Sequence, residues 1–151
     1  MTFPGILIEP ARASDLTAIG ALLGEAGLPH GETELAAARF LVARQDERLV
    51  GAIGAEVFGS DALLRSLVVA PARRGGGLGG ELLRRLELAA GPWGVDRWWL
   101  LTTTAERFFS ARGFRVVPRS AAPASIRGTG QFTGGGCASA VCLTRSREEP
   151  A

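Results

Sequence analysis

From Arg73 to Gly80 the chain runs Arg-Arg-Gly-Gly-Gly-Leu-Gly-Gly, with five glycines in the six positions from Gly75. Successive glycines let a backbone turn its N–H groups into one concavity, and a helix that starts there adds about half a positive charge. The chemistry this serves is anion binding, phosphate above all. The N–H groups of Gly75, Gly76, Gly77, Leu78, Gly79 and Gly80 are the candidate donors, and Arg74 can add a charge-assisted contact.

Three phosphate-binding patterns compete for this segment. A loop ending in Gly-Lys-Ser/Thr is excluded, because all 17 basic residues are arginine. The dinucleotide pattern GxGxxG is met by Gly75, Gly77 and Gly80, which would make the protein an oxidoreductase. However, the preceding apolar run ends at Val69, with Pro71 and two arginines between it and the glycines. That spacing argues against a doubly wound sheet. The third pattern, Arg/Gln-x-x-Gly-x-Gly/Ala, is met by Arg74, Gly77 and Gly79.

Elsewhere the chemistry-bearing residues are few. His30 is the sole imidazole, in a Pro-His-Gly turn, so a triad with a histidine base has one place to form. Cys137 and Cys142 are the two thiols, and no four-ligand set at zinc spacing accompanies them, so no metal is expected. They read as small core thiols, with a pocket-lining role for one of them as the alternative. The absence of lysine and tyrosine excludes Schiff-base chemistry and a phenol acid. Glu56 lies inside an apolar strand run, where a carboxylate either turns outward or acts chemically. Glu32 and Glu34 read as an exposed helix face.

The elements that position these residues follow from hydrophobic periodicity. Residues 6–8 read as a strand. Ser14 is a good N-cap for a helix carrying Leu16, Ile19, Leu22 and Leu23, which Gly27 and Pro29 end. A second helix is expected over residues 32–39, then strands over 40–43, 49–58 and 63–69 joined by polar turns, an antiparallel meander. Leu78, Leu82, Leu83, Leu86 and Leu88 mark an amphipathic helix to about Ala90. Residues 98–103 read as a strand, 105–112 as a short helix stopped by Gly113, and 114–117 as a strand. A linker with a short helix covers 118–132, and the last strand covers 138–144.

Size and composition agree with this outline. The chain has 151 residues, 46% hydrophobic and 21% charged, the balance of one folded α/β domain. We expect a domain over residues 1–145 and a polar tail over 146–151. A net charge of +2 gives no footprint for nucleic acid. No apolar run reaches the ~18 residues of a membrane span, and no secretory leader is visible, so a cytoplasmic protein is expected.

The third glycine pattern does not stand alone. Ser66-Leu67-Val68-Val69-Ala70-Pro71 precedes it and Glu81-Leu82-Leu83 follows. Farther on, Ala105-Glu106-Arg107-Phe108-Phe109-Ser110-Ala111-Arg112-Gly113-Phe114 looks like a helix ending in Tyr-x-x-x-Gly-Phe. Taken together, the sequence resembles the GNAT superfamily of acetyl-CoA-dependent N-acetyltransferases over nearly its whole length. Residues 62–67, 100–109, 122–127 and 137–141 are similar to the arsenic-resistance-associated N-acetyltransferases, although Gly134-Gly135-Gly136 stands where that subgroup has bulkier residues.

The resemblance implies a single α/β domain whose mixed, mostly antiparallel central sheet is splayed at the cofactor site and flanked by helices. It implies acetyl-CoA as co-substrate, with pantetheine amides pairing to Leu67 and Val69, the pyrophosphate on residues 75–80, and Phe109 lining the cofactor. Backbone N–H of Val68 or Val69 is the candidate oxyanion donor, and Glu56 the candidate base. Arg65 and Arg127 are candidates for binding a substrate carboxylate, and Thr102 and Thr103 for orienting the substrate, beside their ordinary surface, salt-bridge and strand-end roles. The fold is compatible with a homodimer. Phe109 stands where many members carry the tyrosine that protonates the leaving thiolate. With a thiol pKa of ~8.5, releasing thiolate at pH 7 forgoes ~2 kcal/mol. Neutralising an α-amine of pKa ~8 costs ~1.4 kcal/mol, against ~4.6 for a lysine-like amine. The expected acceptor is therefore the amine of a small amino-acid-like metabolite or toxicant, in line with the arsenic-resistance likeness. The alternatives are a peptide N-terminus, or a CoA-binding sensor or accessory protein without catalysis.

Overall fold

The computed structural model describes residues 3–28, 30–31, 35–133 and 139–147. Its strands follow the hydrogen-bonded order β1-β2-β3-β4-β5-β7-β6, an open sheet in which β4 and β5 run parallel and the other registers described are antiparallel. The chain divides into two compact units, Met1–Glu56 with Arg65–Ala90, and Val57–Leu64 with Gly91–Ala151.

The first unit opens with β1 (Leu7–Pro10) and α1 (Leu16–Glu25). Strands β2 (Arg39–Gln45) and β3 (Arg48–Phe58) follow, then β4 (Asp61–Val69) and α2 (Leu78–Ala90). Strands β2 and β3 form a tight hairpin in which Gln45 pairs with Arg48, and Asp46 and Glu47 both take positive φ, as a two-residue turn of this hand requires. Both strands are buried on both faces. Toward α1, Phe40, Val42, Leu49 and Ala52 pack with Ile19 and Leu23. On the opposite face Gly51 admits α2, since a Cβ there would stand 3.0 Å from Leu82 and 3.2 Å from the Val68 carbonyl. The α2 face is Leu78, Leu82, Leu83, Leu86 and Ala90; Leu88, expected on it, is 63% exposed, because it lies about 200° around the helix from Leu86.

Ser14 does not cap α1. It sits inside a 3₁₀ turn (Ala13–Asp15), and the Asp15 carboxylate accepts the Arg12 backbone N–H at 2.8 Å instead. A bulge in β2 at Ala43/Arg44 turns Arg44 inward, where Nη2 and Nη1 donate to the two Asp15 oxygens at 2.8 and 3.2 Å, and Nε donates to Glu9 at 2.8 Å. One buried guanidinium thus ties β1, the α1 entry and β2. Of the helix expected over 32–39, Glu32 and Glu34 lie outside the described residues; Leu35 is buried in the α1 core, and β2 already starts at Arg39.

In the second unit, residues Asp61, Ala62 and Leu63 of β4 pair in parallel with Arg97, Trp98 and Trp99 of β5 (Arg97–Thr102). Strand β7 (Val141–Ser146) pairs antiparallel with both β5 and β6 (Arg115–Val117). Among its described residues the unit also has three short helices: α3 (Glu106–Ser110), α4 (Ala124–Arg127) and α5 (Gly130–Thr133). Gly113, at φ +91°, turns the chain out of α3 as expected. Strand β7 runs through Ser146, where the polar tail was expected to begin, and the Arg147 N–H donates to the Asp96 carbonyl at 2.6 Å.

Cys142 is 1% exposed among Leu63, Trp99, Ala122 and Ile126, a core thiol as read from the sequence. Burial pushes its pKa up, which makes it a poor nucleophile. Replacing it with serine would bury a hydroxyl in apolar surroundings, so Cys142→Ser is expected to cost about 1–3 kcal/mol in a denaturant titration. Cys137, its expected strand companion, lies outside the described residues.

Candidate functional site

The glycine segment begins where β4 ends. The Ala70 N–H donates to the Val50 carbonyl at 2.8 Å, which anchors the strand end to β3. Pro71–Arg73 then forms one 3₁₀ turn, and Gly75 and Gly77 follow at φ +83° and +89°, a region side chains disfavour. Helix α2 starts at Leu78, so Gly79 and Gly80 are its first turn rather than loop. Its first backbone bond runs from the Glu81 N–H to the Gly77 carbonyl at 3.1 Å. The six successive N–H groups from Gly75 to Gly80 have no acceptor among the described residues. A helix usually meets its first donors with a Ser, Thr or Asp side chain at the N-cap; Gly77 stands there and has none to offer. The site is built to receive its acceptor from outside.

Charge around this cradle is arranged in pairs. Arg74 Nε donates to the Val69 carbonyl at 3.0 Å, so the side chain lies back along the strand end, and its Nη atoms have no partner among the described residues. Arg73 donates to Gln45 Oε1, and the two line a cavity of about 310 Å³ together with Phe3, Ile6, Gly76 and Leu78. Glu81, in the first turn of α2, is gripped by Arg84 through two bonds of 2.8 Å, and that pairing holds its carboxyl below the ordinary range. Gln45 carried no sequence signal, and Arg73 none beyond adjacency to the glycines.

Upstream in β4, Ser66 takes φ +59°, the left-handed region, in mid-strand. Burial loses its alternation there: Ala62 to Arg65 are all buried, Ser66 and Leu67 half-buried, Val68 buried and Val69 half-buried. Arg65 is 4% exposed. Its Nε donates to Ser66 Oγ at 3.1 Å and its Nη1 to Glu56 Oε2 at 3.0 Å. Of the two roles open to Arg65, the salt bridge is present. Glu56 is largely buried and turned to its partner rather than outward, and its Oε1 makes no hydrogen bond to the described residues. Nothing in the residue types signals this left-handed residue, since serine enters this region rarely.

The remaining candidates belong to the second unit. Thr102 ends β5 and accepts the Ala105 N–H at 3.0 Å, which is strand-end duty; Thr103 is exposed. Arg127 donates through Nε to the Ala122 carbonyl at 2.9 Å and is otherwise exposed. Phe109 is 4% exposed, edge-on to Phe108 and Phe114 at 5.0 and 5.3 Å. In the first unit His30 is exposed, with Nδ1 2.9 Å from the Leu28 carbonyl. Among the described residues no group of three or more His, Cys, Asp or Glu side chains is placed to hold a metal, and no helix is long and apolar enough to cross a membrane.

Residues 36–116, more than half of the chain and including β2 to β5 and the glycine cradle, match the family described as acetyltransferase (GNAT) domain. The chain belongs to the GNAT acetyltransferase family. Solved GNAT-like structures share the fold. N-acetylglutamate synthase from Neisseria gonorrhoeae, complexed with coenzyme A and N-acetyl-glutamate, aligns with a TM-score of 0.80 and 24% identity over 98% of this chain and 36% of that one. This chain therefore spans about a third of that protein. Rv2747 from Mycobacterium tuberculosis, in complex with CoA and NLQ, gives a TM-score of 0.78 and 22% identity over 93% and 98% of the two chains. The ribosomal-protein-S18-alanine N-acetyltransferase from Escherichia coli gives 0.74 and 19% over 97% and 96%. At these identities the likeness is one of fold. No curated protein matches the sequence. In this GNAT chain the cradle, the left-handed Ser66 and the Glu56–Arg65 pair all fall within the matched segment.

Proposed function

We propose that this GNAT protein transfers the acetyl group of acetyl-CoA to the amine of a small amino-acid-like acceptor. The observation that carries the proposal is the run of six unpartnered N–H groups from Gly75 to Gly80, which fits the pyrophosphate of CoA in donor number and in charge. Acetyl-CoA supplies an activated thioester. The chain's own tasks are to hold it, to polarise its carbonyl and to take a proton from the amine.

Gly75 to Gly80 hold the diphosphate, with Arg74 Nη near enough in sequence to join them. Backbone groups of Leu67 and Val69 hold the pantetheine arm, and the N–H of Val68 or Val69 donates to the acetyl oxygen. Glu56, fixed through Oε2 by Arg65, accepts the amine proton at Oε1. The amine nitrogen bonds to the acetyl carbon as the C–S bond breaks, and the thiolate takes its proton from solvent, Phe109 having none to give. The small-acceptor reading is supported by the ~1.4 kcal/mol needed to neutralise an α-amine, and the resemblance to arsenic-resistance members makes an arsenic-containing amino acid the first acceptor to try.

Mixing the protein with acetyl-CoA and a panel of α-amines, lysine side-chain amines and short peptides, and following thiol release, tests this. Preference for free α-amino acids is the expected result. Glu56→Gln is expected to lower kcat by about 10²–10⁴-fold and to remove one ionisation from the pH–rate profile. A second reading, a CoA-binding protein without turnover, is favoured by Phe109 alone; tight CoA binding with no thiol release on any amine would select it.

A further inference from the structure

We infer that Arg65 is a positioning residue that aligns, through one guanidinium, both the proton acceptor Glu56 and the stretch of β4 that meets the acetyl group. The inference rests on the acetyl-transfer reading and deepens it. Three observations carry it. Ser66 holds a left-handed conformation at φ +59° in mid-strand, which a residue other than glycine keeps only when its surroundings enforce it. Arg65 supplies that enforcement, donating from Nε to Ser66 Oγ at 3.1 Å. The same planar group donates from Nη1 to Glu56 Oε2 at 3.0 Å, on the neighbouring strand.

Nε and Nη1 lie on one rigid plane, so the two bonds cannot be adjusted independently. The direction in which the chain leaves Ser66 toward Leu67, Val68 and Val69 is therefore geared to the orientation of the Glu56 carboxylate. Those are the two ends of the proposed reaction: a backbone donor for the oxygen and a carboxylate for the amine proton. In this reading Arg65 acts through Glu56 and Ser66 rather than on a reactant, and burial at 4% exposure keeps water from competing for its bonds. A lysine at this position keeps the charge opposite Glu56 but has no fork with which to hold Ser66 as well.

Steady-state kinetics on the whole chain test this, with CoA affinity from calorimetry and thermal melting as a check on folding. Arg65→Lys is expected to lower kcat by about 10–100-fold while the Kd for CoA stays within about 3-fold, because the phosphate cradle lies elsewhere. Ser66→Gly, which adopts positive φ freely but removes the Oγ that Arg65 holds, is expected to lower kcat by about 10-fold, and Ser66→Val, which loses the same bond and also resists positive φ, by more. The loss in Ser66→Gly reads the bond from Arg65 apart from the backbone's own preference. Full kcat in Arg65→Lys or in Ser66→Gly, or parallel loss of kcat and CoA affinity, would overturn the inference. A wild-type protein that binds CoA but acetylates no amine would overturn the acetyl-transfer reading, and this inference with it.

Discussion

Gly79→Glu is expected to lower CoA affinity by at least about 100-fold, equivalent to ~2.7 kcal/mol, while leaving the fold intact. Gly79 is in the first turn of α2. Glutamate there is a far better helix former than glycine, and a carboxylate near a helix N-terminus is stabilising. The melting temperature should therefore hold or rise. The ligand meets the opposite effect, because a fixed negative charge then stands among the amides that would otherwise receive the pyrophosphate. Glu81, two residues farther along, already shows that an acidic side chain is tolerated in the first turn, though it is neutralised by Arg84 through two bonds of 2.8 Å. The introduced glutamate has no such partner in sequence reach at i+3, since residue 82 is leucine. Calorimetry with CoA, beside a thermal melt, checks the prediction; retained affinity in a folded variant would remove residues 75–80 from the cofactor site.

Arg44→Ala is expected to be the most damaging single change to stability. It strips the buried guanidinium from Asp15 and from Glu9 together, leaving Asp15, a buried carboxylate, only the Arg12 backbone N–H, and Glu9 only the exposed Arg12 side chain at 3.4 Å. Removing one side of a buried ion pair costs about 3–5 kcal/mol. In a domain of this length each kcal/mol moves Tm by about 2–4 °C, so a fall of roughly 10 °C is expected. The pH dependence follows from the same bonds. Hydrogen bonding to Arg44 holds the Asp15 carboxyl below its ordinary value. A carboxyl whose pKa is lower in the folded than in the unfolded state contributes stability that is fully present above the unfolded value of ~3.9 and disappears as pH falls through the folded one. Wild-type Tm should therefore drop through that acid range more steeply than the Tm of Arg44→Ala, and the difference between them should narrow. Melts from neutral pH down to the acid limit measure both.

Much of this was legible in local sequence. The helix over Leu78–Ala90 was read to its ends, because leucines three and four residues apart and an N-terminal glycine run are signals contained within a few turns. The β2–β3–β4 meander was read for the same reason, from polar turns between apolar runs. Where the reading missed, the cause was a choice made by distant chain. Ser14 lost the capping role because Asp15, held by Arg44 from 29 residues away, already answers the Arg12 N–H. Leu88 lies off the core because the sheet takes one stripe of α2 and has no surface for another.

The amino-acid order alone establishes that phosphate must be met by backbone amides and arginine, since no lysine exists, and that no tyrosine can protonate a leaving group. Both are facts of residue type, independent of folding. Folding decided which groups stand together. Glu56 and Arg65 are nine residues apart and read separately as a base and a carboxylate binder; adjacent strands make them one ion pair. Ser66 reads as an ordinary strand residue, and its left-handed backbone and its bond from Arg65 are seen only in the folded sheet. Short-range preferences are written within a few residues, whereas strand pairing and bulges are set by the burial of the whole sheet, and the alignment of a reacting site depends on the second kind.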